Sequence, residues 1–315
     1  MKAWQLTRYG STLEQVDVPD PVPAAGQVVV EVKAAGLCTS DVHIMDGTMK
    51  TSAEPPVVIG HEIAGIITEV GPEVPGFAVG DRVGIDPTAN GVFGPKARVG
   101  GGYGMKTAAW ANELVRIPDP VEYTQAAAAT DAGSTAHKAV AHSGQVGPGT
   151  RVGIIGLGAL GLTGARIAVL RGAQVYAADV NDSVFGAAKA AGVLETFDSA
   201  AQFEGLDLDV VIDFAGVDTT SLAIDTVKPG GRVVQVGLGS PTISFPATAL
   251  VFREVHLVGS LAGSVADTAA LYDLMADGAF EMPVETIRWE EINDGLDRIR
   301  RGEVRGKRLV ASYEI

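Results

Sequence analysis

The chain has 315 residues, 46% of them hydrophobic and 20% charged, which fits two folded domains with sizeable interiors and excludes a disordered or fibrous chain. Its net charge of −14, with no basic cluster to offset it, excludes nucleic acid as a partner and disfavours anionic membrane surfaces. Cys38 is the single cysteine, so no intrachain disulfide and no four-cysteine metal cluster can form.

In chain order, residues 1 to about 116 carry short β-rich runs punctuated by Gly and Pro, among them Gln27–Val32, Glu62–Val70 and Arg82–Ile85. Such spacing predicts a compact barrel-like β domain. The alanine-rich stretch Thr124–Ser143 predicts a helix. From Thr150 apolar runs alternate with helical stretches: Val152–Ile155, Val175–Ala178, Val210–Asp213, Arg232–Val236 and His256–Val258. That rhythm predicts an α/β domain with a parallel sheet. Towards the end Glu290–Arg301 predicts a helix and Arg308–Ala311 a strand, both returning to the first domain. The amino terminus, MKAWQLTRYG, has no apolar run after its lysine, and no apolar stretch approaches spanning length, so the expectation is a cytoplasmic protein.

After the run at 151–155 comes Gly156-Leu157-Gly158-Ala159-Leu160-Gly161, opening a predicted helix. The first glycine allows a tight turn, the second a close approach of backbone to a pyrophosphate, and the third close packing of helix on strand. Glycine-rich turns also occur without ligands. Here Asp179 ends the next apolar run, where a carboxylate can accept hydrogen bonds from both ribose hydroxyls of a dinucleotide. Asp179 would repel a 2′-phosphate, and Val180, Asn181 and Asp182 supply no cation, so NAD is expected in preference to NADP.

Cys38-Thr39-Ser40-Asp41-Val42-His43 packs a thiol, hydroxyls, a carboxylate and an imidazole into one short segment, and Gly60-His61-Glu62 follows. Thiolate and neutral imidazole are preferred zinc ligands, and a catalytic zinc keeps three protein ligands and one open position.

These two segments, together with Gly80-Asp81-Arg82-Val83, the glycine fingerprint, Asp209–Gly216, Lys228-Pro229-Gly230-Gly231-Arg232 and the ending Gly306–Val310, resemble the zinc-containing medium-chain alcohol dehydrogenases over nearly the whole chain. The resemblance implies a GroES-like β-barrel catalytic domain (1–131 and 262–315) and a Rossmann NAD-binding domain (132–261), with zinc in the cleft between them. It implies that Cys38 and His61 bind zinc, that Glu62 is an occasional ligand, and that Asp41 fixes the tautomer of His61 through its other ring nitrogen. The third ligand in most of the family is a second cysteine. Asp131-Ala132-Gly133-Ser134-Thr135 fits that position here and puts Asp131 in the ligand role, a variant similar to one in some bacterial relatives. Carboxylate oxygen binds zinc at nearly the same distance, and with Cys38 it still neutralises the dication. The alternative for Asp131 is a plain helix cap.

The family's structural-zinc loop is replaced by Thr88–Val99, so one zinc per subunit is expected. The resemblance further implies proton transfer from Ser40 to His43, Thr135 against the nicotinamide, and backbone groups near Val236, Ser260 and Ala262 on its carboxamide. A substrate wall of Met49, Tyr103, Trp110, Leu238 and Leu261 would suit a small or medium hydrophobic alcohol, aldehyde or ketone. Pairing of two Rossmann sheets near His256–Gly259 would give a homodimer or homotetramer. Three rivals stay open: a zinc-independent quinone or enoyl reductase of the same fold, a polyol dehydrogenase, and a non-catalytic NAD-binding protein.

Overall fold

The structure, a computed structural model, describes residues 1–49, 53–91 and 101–313. Gln27-Val28-Val29-Val30 begins with stiff β-branched side chains and forms the start of the longest strand of the first unit, Gln27–Leu37. The expected run ends at Val32, yet the strand continues through Lys33-Ala34-Ala35-Gly36-Leu37, residues of weak strand propensity. Partners on both edges account for this. Glu62–Val70 pairs antiparallel along one edge, with Gly36 opposite Glu62. On the other edge Lys106–Trp110 covers the first half and Arg308–Ser312 the second, with Leu309 opposite Leu37.

The larger sheet of this unit runs Val284–Arg288, Arg308–Ser312, Gln27–Leu37, Glu62–Val70, Arg82–Ile85, Leu114–Arg116, and a small sheet joins Lys2–Leu6 to Glu14–Asp17 and Val57–Val58. Leu6, Val30, Ile63, Ile67, Ile85 and Leu296 fill the core. A tight turn at Trp289–Glu291 leads into the helix Ile292–Arg300, which connects the two parallel strands Val284–Arg288 and Arg308–Ser312. One consequence of this register governs the chemistry: residue 38 leaves one strand where Glu62 and Arg308 begin its two neighbours.

The chain divides into two units, Met1–Ser134 with Gly263–Ile315, and Thr135–Ala262. The sequence places these divisions at 131/132 and 261/262. Within the second unit six parallel strands stand in the order Glu195–Phe197, Gln174–Ala178, Arg151–Ile155, Leu208–Asp213, Val227–Gln235, His256–Gly259. In order of appearance this is 3-2-1-4-5-6, the doubly wound arrangement whose strand order reverses beside the first strand. Gly156, at φ +86°, turns the chain from that strand into the helix Ala159–Leu170. No described helix is long and apolar enough to cross a membrane.

Candidate metal centre and dinucleotide site

Cys38 caps the helix Thr39–Met45. Its Sγ accepts from the Ser40 amide (3.4 Å), while Asp41 Oδ2 accepts from the Cys38 amide (3.0 Å), a reciprocal cap that fixes the thiol at a helix N-terminus. Ser40 and His43 lie three apart on this helix and so share a face. His43 is exposed, with Thr48 Oγ1 3.3 Å from its Nδ1.

His61 precedes the strand Glu62–Val70. Its Nδ1 lies 3.2 Å from Asp41 Oδ1. A carboxylate accepts, so Nδ1 carries a proton there, and Nε2 faces the opposite side as the nitrogen a metal would take. Glu62 is fully buried, and a Cβ added at Gly36 would sit 2.0 Å from its Oε2, so only glycine leaves room for this carboxyl.

The expected helix 124–143 divides into Tyr123–Ala128 and Ser134–Lys138, each followed by a segment of wider turns, Ala129–Gly133 and Ala139–Ser143. Asp131 lies in the first of these. Thr130 Oγ1 donates to Ala127 O and Ser134 Oγ to Thr130 O, hydroxyl bonds that compete with regular helical pairing. Wide turns within helices recur at functional sites because they re-aim a side chain. Asp131 is thus inside a helical stretch rather than at its cap, and it points at the other two groups.

One oxygen, nitrogen or sulfur from each of Cys38, His61, Glu62 and Asp131 lies within 4.8 Å of all the others. Asp131 Oδ2 is 3.5 Å from His61 Nε2 and 3.9 Å from Cys38 Sγ. Ligands about 2.0–2.3 Å from a tetrahedral zinc are separated by distances of this order. Both oxygens of Glu62 are buried without a hydrogen bond, although Arg308 Nη2 is 2.6 Å from Oε1. Donor set and spacing together fit a single zinc.

Arg308 is the residue the sequence reading missed. Its Nη2 lies 3.6 Å from both Cys38 Sγ and Asp131 Oδ2. Burial alone would raise the Cys38 thiol; Arg308 and then His61 outweigh it and hold the thiol below its ordinary range. Burial likewise opposes ionisation of Asp131, but His61 and Arg308 hold its carboxyl well below the usual range. Burial pushes Glu62 well above the carboxylate range against the pull of Arg308. His61 is raised well above an ordinary imidazole because Asp41 and Asp131 overcome its burial. The visible signal was a cation opening an otherwise apolar strand, Arg308-Leu309-Val310-Ala311.

In the second unit Asp179 follows its strand at the carboxyl edge of the sheet. Its Oδ2 accepts from the Leu157 amide (2.6 Å) and its Oδ1 from the Asn181 amide (2.8 Å), so this carboxylate also braces the turn carrying Gly156, Gly158 and Gly161. A Cβ at Gly161 would lie 1.7 Å from Gly156 O, which makes glycine obligatory there. Thr135 is buried, and Ala262 holds φ +50°, an uncommon conformation for alanine. The Val236 amide donates to Asp213 O and the Ser260 amide to Gln235 O, so each has a carbonyl rather than an N–H to offer a carboxamide.

The expected substrate wall needs correction. Tyr103 is completely buried, with its hydroxyl on Asp41, and offers no surface to a substrate. Trp110 pairs with Gln27, at the end of the strand ten residues from Leu37 and so remote from the thiol end. Met49 is half-buried against the core, and Leu238 and Leu261 are exposed. Of the segment replacing the structural-zinc loop, residues 92–99 lie outside the described residues.

Residues 24–119 match the alcohol dehydrogenase GroES-like domain, and residues 159–277 match the zinc-binding dehydrogenase family. An alcohol dehydrogenase of Geobacillus stearothermophilus is 32% identical over 98% of both chains. The chain belongs to the zinc-containing medium-chain alcohol dehydrogenases. Among other members, an NAD-dependent alcohol dehydrogenase of Sulfurisphaera tokodaii is 29% identical over 98% of this chain and 99% of that one. The acetophenone reductase of Geotrichum candidum, solved in complex with NAD, superimposes with a TM-score of 0.86 at 30% identity, covering 99% of this chain and 96% of the other. As in other medium-chain dehydrogenases, a GroES-like unit is combined with a Rossmann unit, and the 3-2-1-4-5-6 sheet is that Rossmann unit.

Proposed function

We propose that this chain is an NAD-linked, single-zinc alcohol dehydrogenase or carbonyl reductase for small or medium hydrophobic substrates. The convergence of Cys38, His61, Glu62 and Asp131 within 4.8 Å carries this reading. Cys38, His61 and Asp131 would hold the zinc, with Glu62 as an occasional fourth ligand. Zinc in that position supplies Lewis acidity towards the oxygen of an alcohol or carbonyl. NAD supplies the hydride acceptor.

The chain's own residues then have distinct tasks. Asp41 holds the His61 ring in one tautomer. Ser40 Oγ accepts the hydrogen bond of a substrate hydroxyl, and His43, on the same helical face and open to solvent, takes up the departing proton. Gly156, Gly158 and Gly161 make room for the pyrophosphate at the start of the helix Ala159–Leu170, with Asp179 on the ribose. Thr135 packs on the nicotinamide, and Val236, Ser260 and Ala262 bracket its carboxamide. The relatives named alcohol dehydrogenase and acetophenone reductase support a hydrophobic alcohol or ketone as substrate. The edge strand His256–Gly259 and the exposed Phe252 support a homodimer or homotetramer, and we place the enzyme in the cytoplasm.

The deciding experiment assays secondary alcohols, aldehydes, ketones and polyols with NAD and NADP, before and after chelation. Zinc-dependent, NAD-linked turnover of the hydrophobic substrates is the expected result. Chelator-insensitive reduction of a conjugated double bond would restore the zinc-independent quinone or enoyl reductase, and preference for polyols would restore the polyol dehydrogenase.

A further inference from the structure

Tyr103 reaches with its hydroxyl to Asp41, the residue that holds the proposed zinc ligand His61. It is completely buried, and its hydroxyl donates to Asp41 Oδ2 at 2.8 Å. The other oxygen of Asp41 faces His61 Nδ1. A buried phenol has to satisfy its O–H, and a buried carboxylate needs several donors to offset desolvation. Asp41 obtains three: the Cys38 amide, His61 Nδ1 and the Tyr103 hydroxyl.

The ring is fitted to His61 by a second route. Gly60, the residue before His61, has φ +91°, and a Cβ there would sit 2.5 Å from the Tyr103 ring. The Gly102 amide donates to Gly60 O (2.8 Å) and the Tyr103 amide to Ile59 O (3.0 Å). The carbonyl of Tyr103 accepts both from the Trp4 amide (3.0 Å) and from Trp289 Nε1 (3.2 Å), while the Tyr313 hydroxyl donates to Gly102 O. Trp289 stacks at a tilt between Trp4 and Tyr313, at 5.8 and 6.1 Å. The turn bearing Tyr103 is therefore held by several backbone and side-chain bonds, and its hydroxyl, 3.5 Å from Gly36 O, lies nearest to Asp41 Oδ2 at 2.8 Å.

We propose that Tyr103 is a positioning residue for the metal centre, acting through Asp41 on the orientation of the His61 ring. This rests on the zinc reading above. Removing an outer partner of a zinc-binding histidine typically weakens metal binding 10- to 100-fold. A tyrosine that only fills the core would leave zinc affinity unchanged once the fold survives.

The test compares wild type, Tyr103→Phe, Asp41→Asn and the double variant, each made zinc-free and titrated with zinc against a chromophoric chelator, with melting curves alongside. Tyr103→Phe keeps the ring over Gly60 and, acting one bond further out than Asp41, should weaken zinc by about fivefold, less than the 10-fold or more expected of Asp41→Asn. In the Asp41→Asn background the same change should add less than about twofold, because the two residues act in series. Zinc affinity equal to wild type in folded Tyr103→Phe, or effects that multiply in full in the double variant, would overturn the inference alone. Wild-type protein that takes up no zinc would overturn the zinc reading and this inference together. Should Tyr103→Phe fail to fold, Trp289→Phe, which removes a donor from the Tyr103 carbonyl, should weaken zinc measurably; no change there counts against the inference.

Discussion

Arg308 Nη2 lies 2.6 Å from Glu62 Oε1, and both side chains are buried. The guanidinium thus supplies positive charge beside Cys38 and Asp131 and helps to hold both below their ordinary ranges. Breaking a buried pair by removing one partner typically costs about 3–5 kcal/mol. Arg308→Gln should therefore lower the melting temperature, and more in zinc-free than in zinc-loaded protein, since the dication offsets part of the lost charge. Thermal melts with and without chelator measure this, and equal losses in both forms would contradict the role given to Arg308.

Cys38→Ala and His61→Ala should each lose bound zinc and turnover together. Ser40→Ala should keep its zinc and lose about 10²-fold or more in kcat, the usual scale of a positioned acid or base. Metal analysis beside steady-state kinetics separates the two classes. Turnover by metal-free Cys38→Ala protein is the result that would sink the mechanism.

Asp179, proposed above to hold the ribose, also braces the glycine turn, because Leu157 N–H bonds its Oδ2 at 2.6 Å. Asp179→Asn should reduce the preference for NAD over NADP, measured as the ratio of kcat/KM values. It should also lower stability by about 1 kcal/mol through the weakened bond to the turn. Wild-type efficiency with NADP equal to or above that with NAD would show the carboxylate to be misassigned.

Asp209 ties the start of the first Rossmann strand, accepting from the Arg151 amide at 2.7 Å and pairing with Lys228. Burial works against its ionisation, but the amide and the ammonium prevail and lower its pKa below the ordinary value. A lowered folded-state value gives stability that is present above the unfolded value, about 3.9, and lost as pH falls through the folded one. Asp209→Asn should therefore lower the melting temperature at pH 7 and converge on wild type in strong acid. A gap that stays constant down the acid limb would refute the linkage.

Much of this was legible beforehand, and the parts that were share a cause. The glycine fingerprint, the alternation of apolar runs after residue 150, the lone thiol and the cluster of reactive side chains at 38–43 depend on dihedral freedom, residue type and composition, which neighbouring residues decide among themselves. The strands at 62–70 and 82–85 fall where their sequences place them. Cys38 and His61 stood out by residue type, while the roles of Glu62 and Asp131 came forward only through resemblance to a family.

Tertiary structure alone decided the rest. Arg308 and Cys38 are 270 positions apart, Asp131 and Cys38 are 93 apart, and Tyr103 reaches Asp41 across 62. No local pattern encodes such meetings. They follow from sheet register, which sets Leu309 opposite Leu37 and Glu62 opposite Gly36, and from a widened helical turn that aims Asp131. Trp110 shows the same dependence in reverse, since register carries it to the far end of the strand from the thiol.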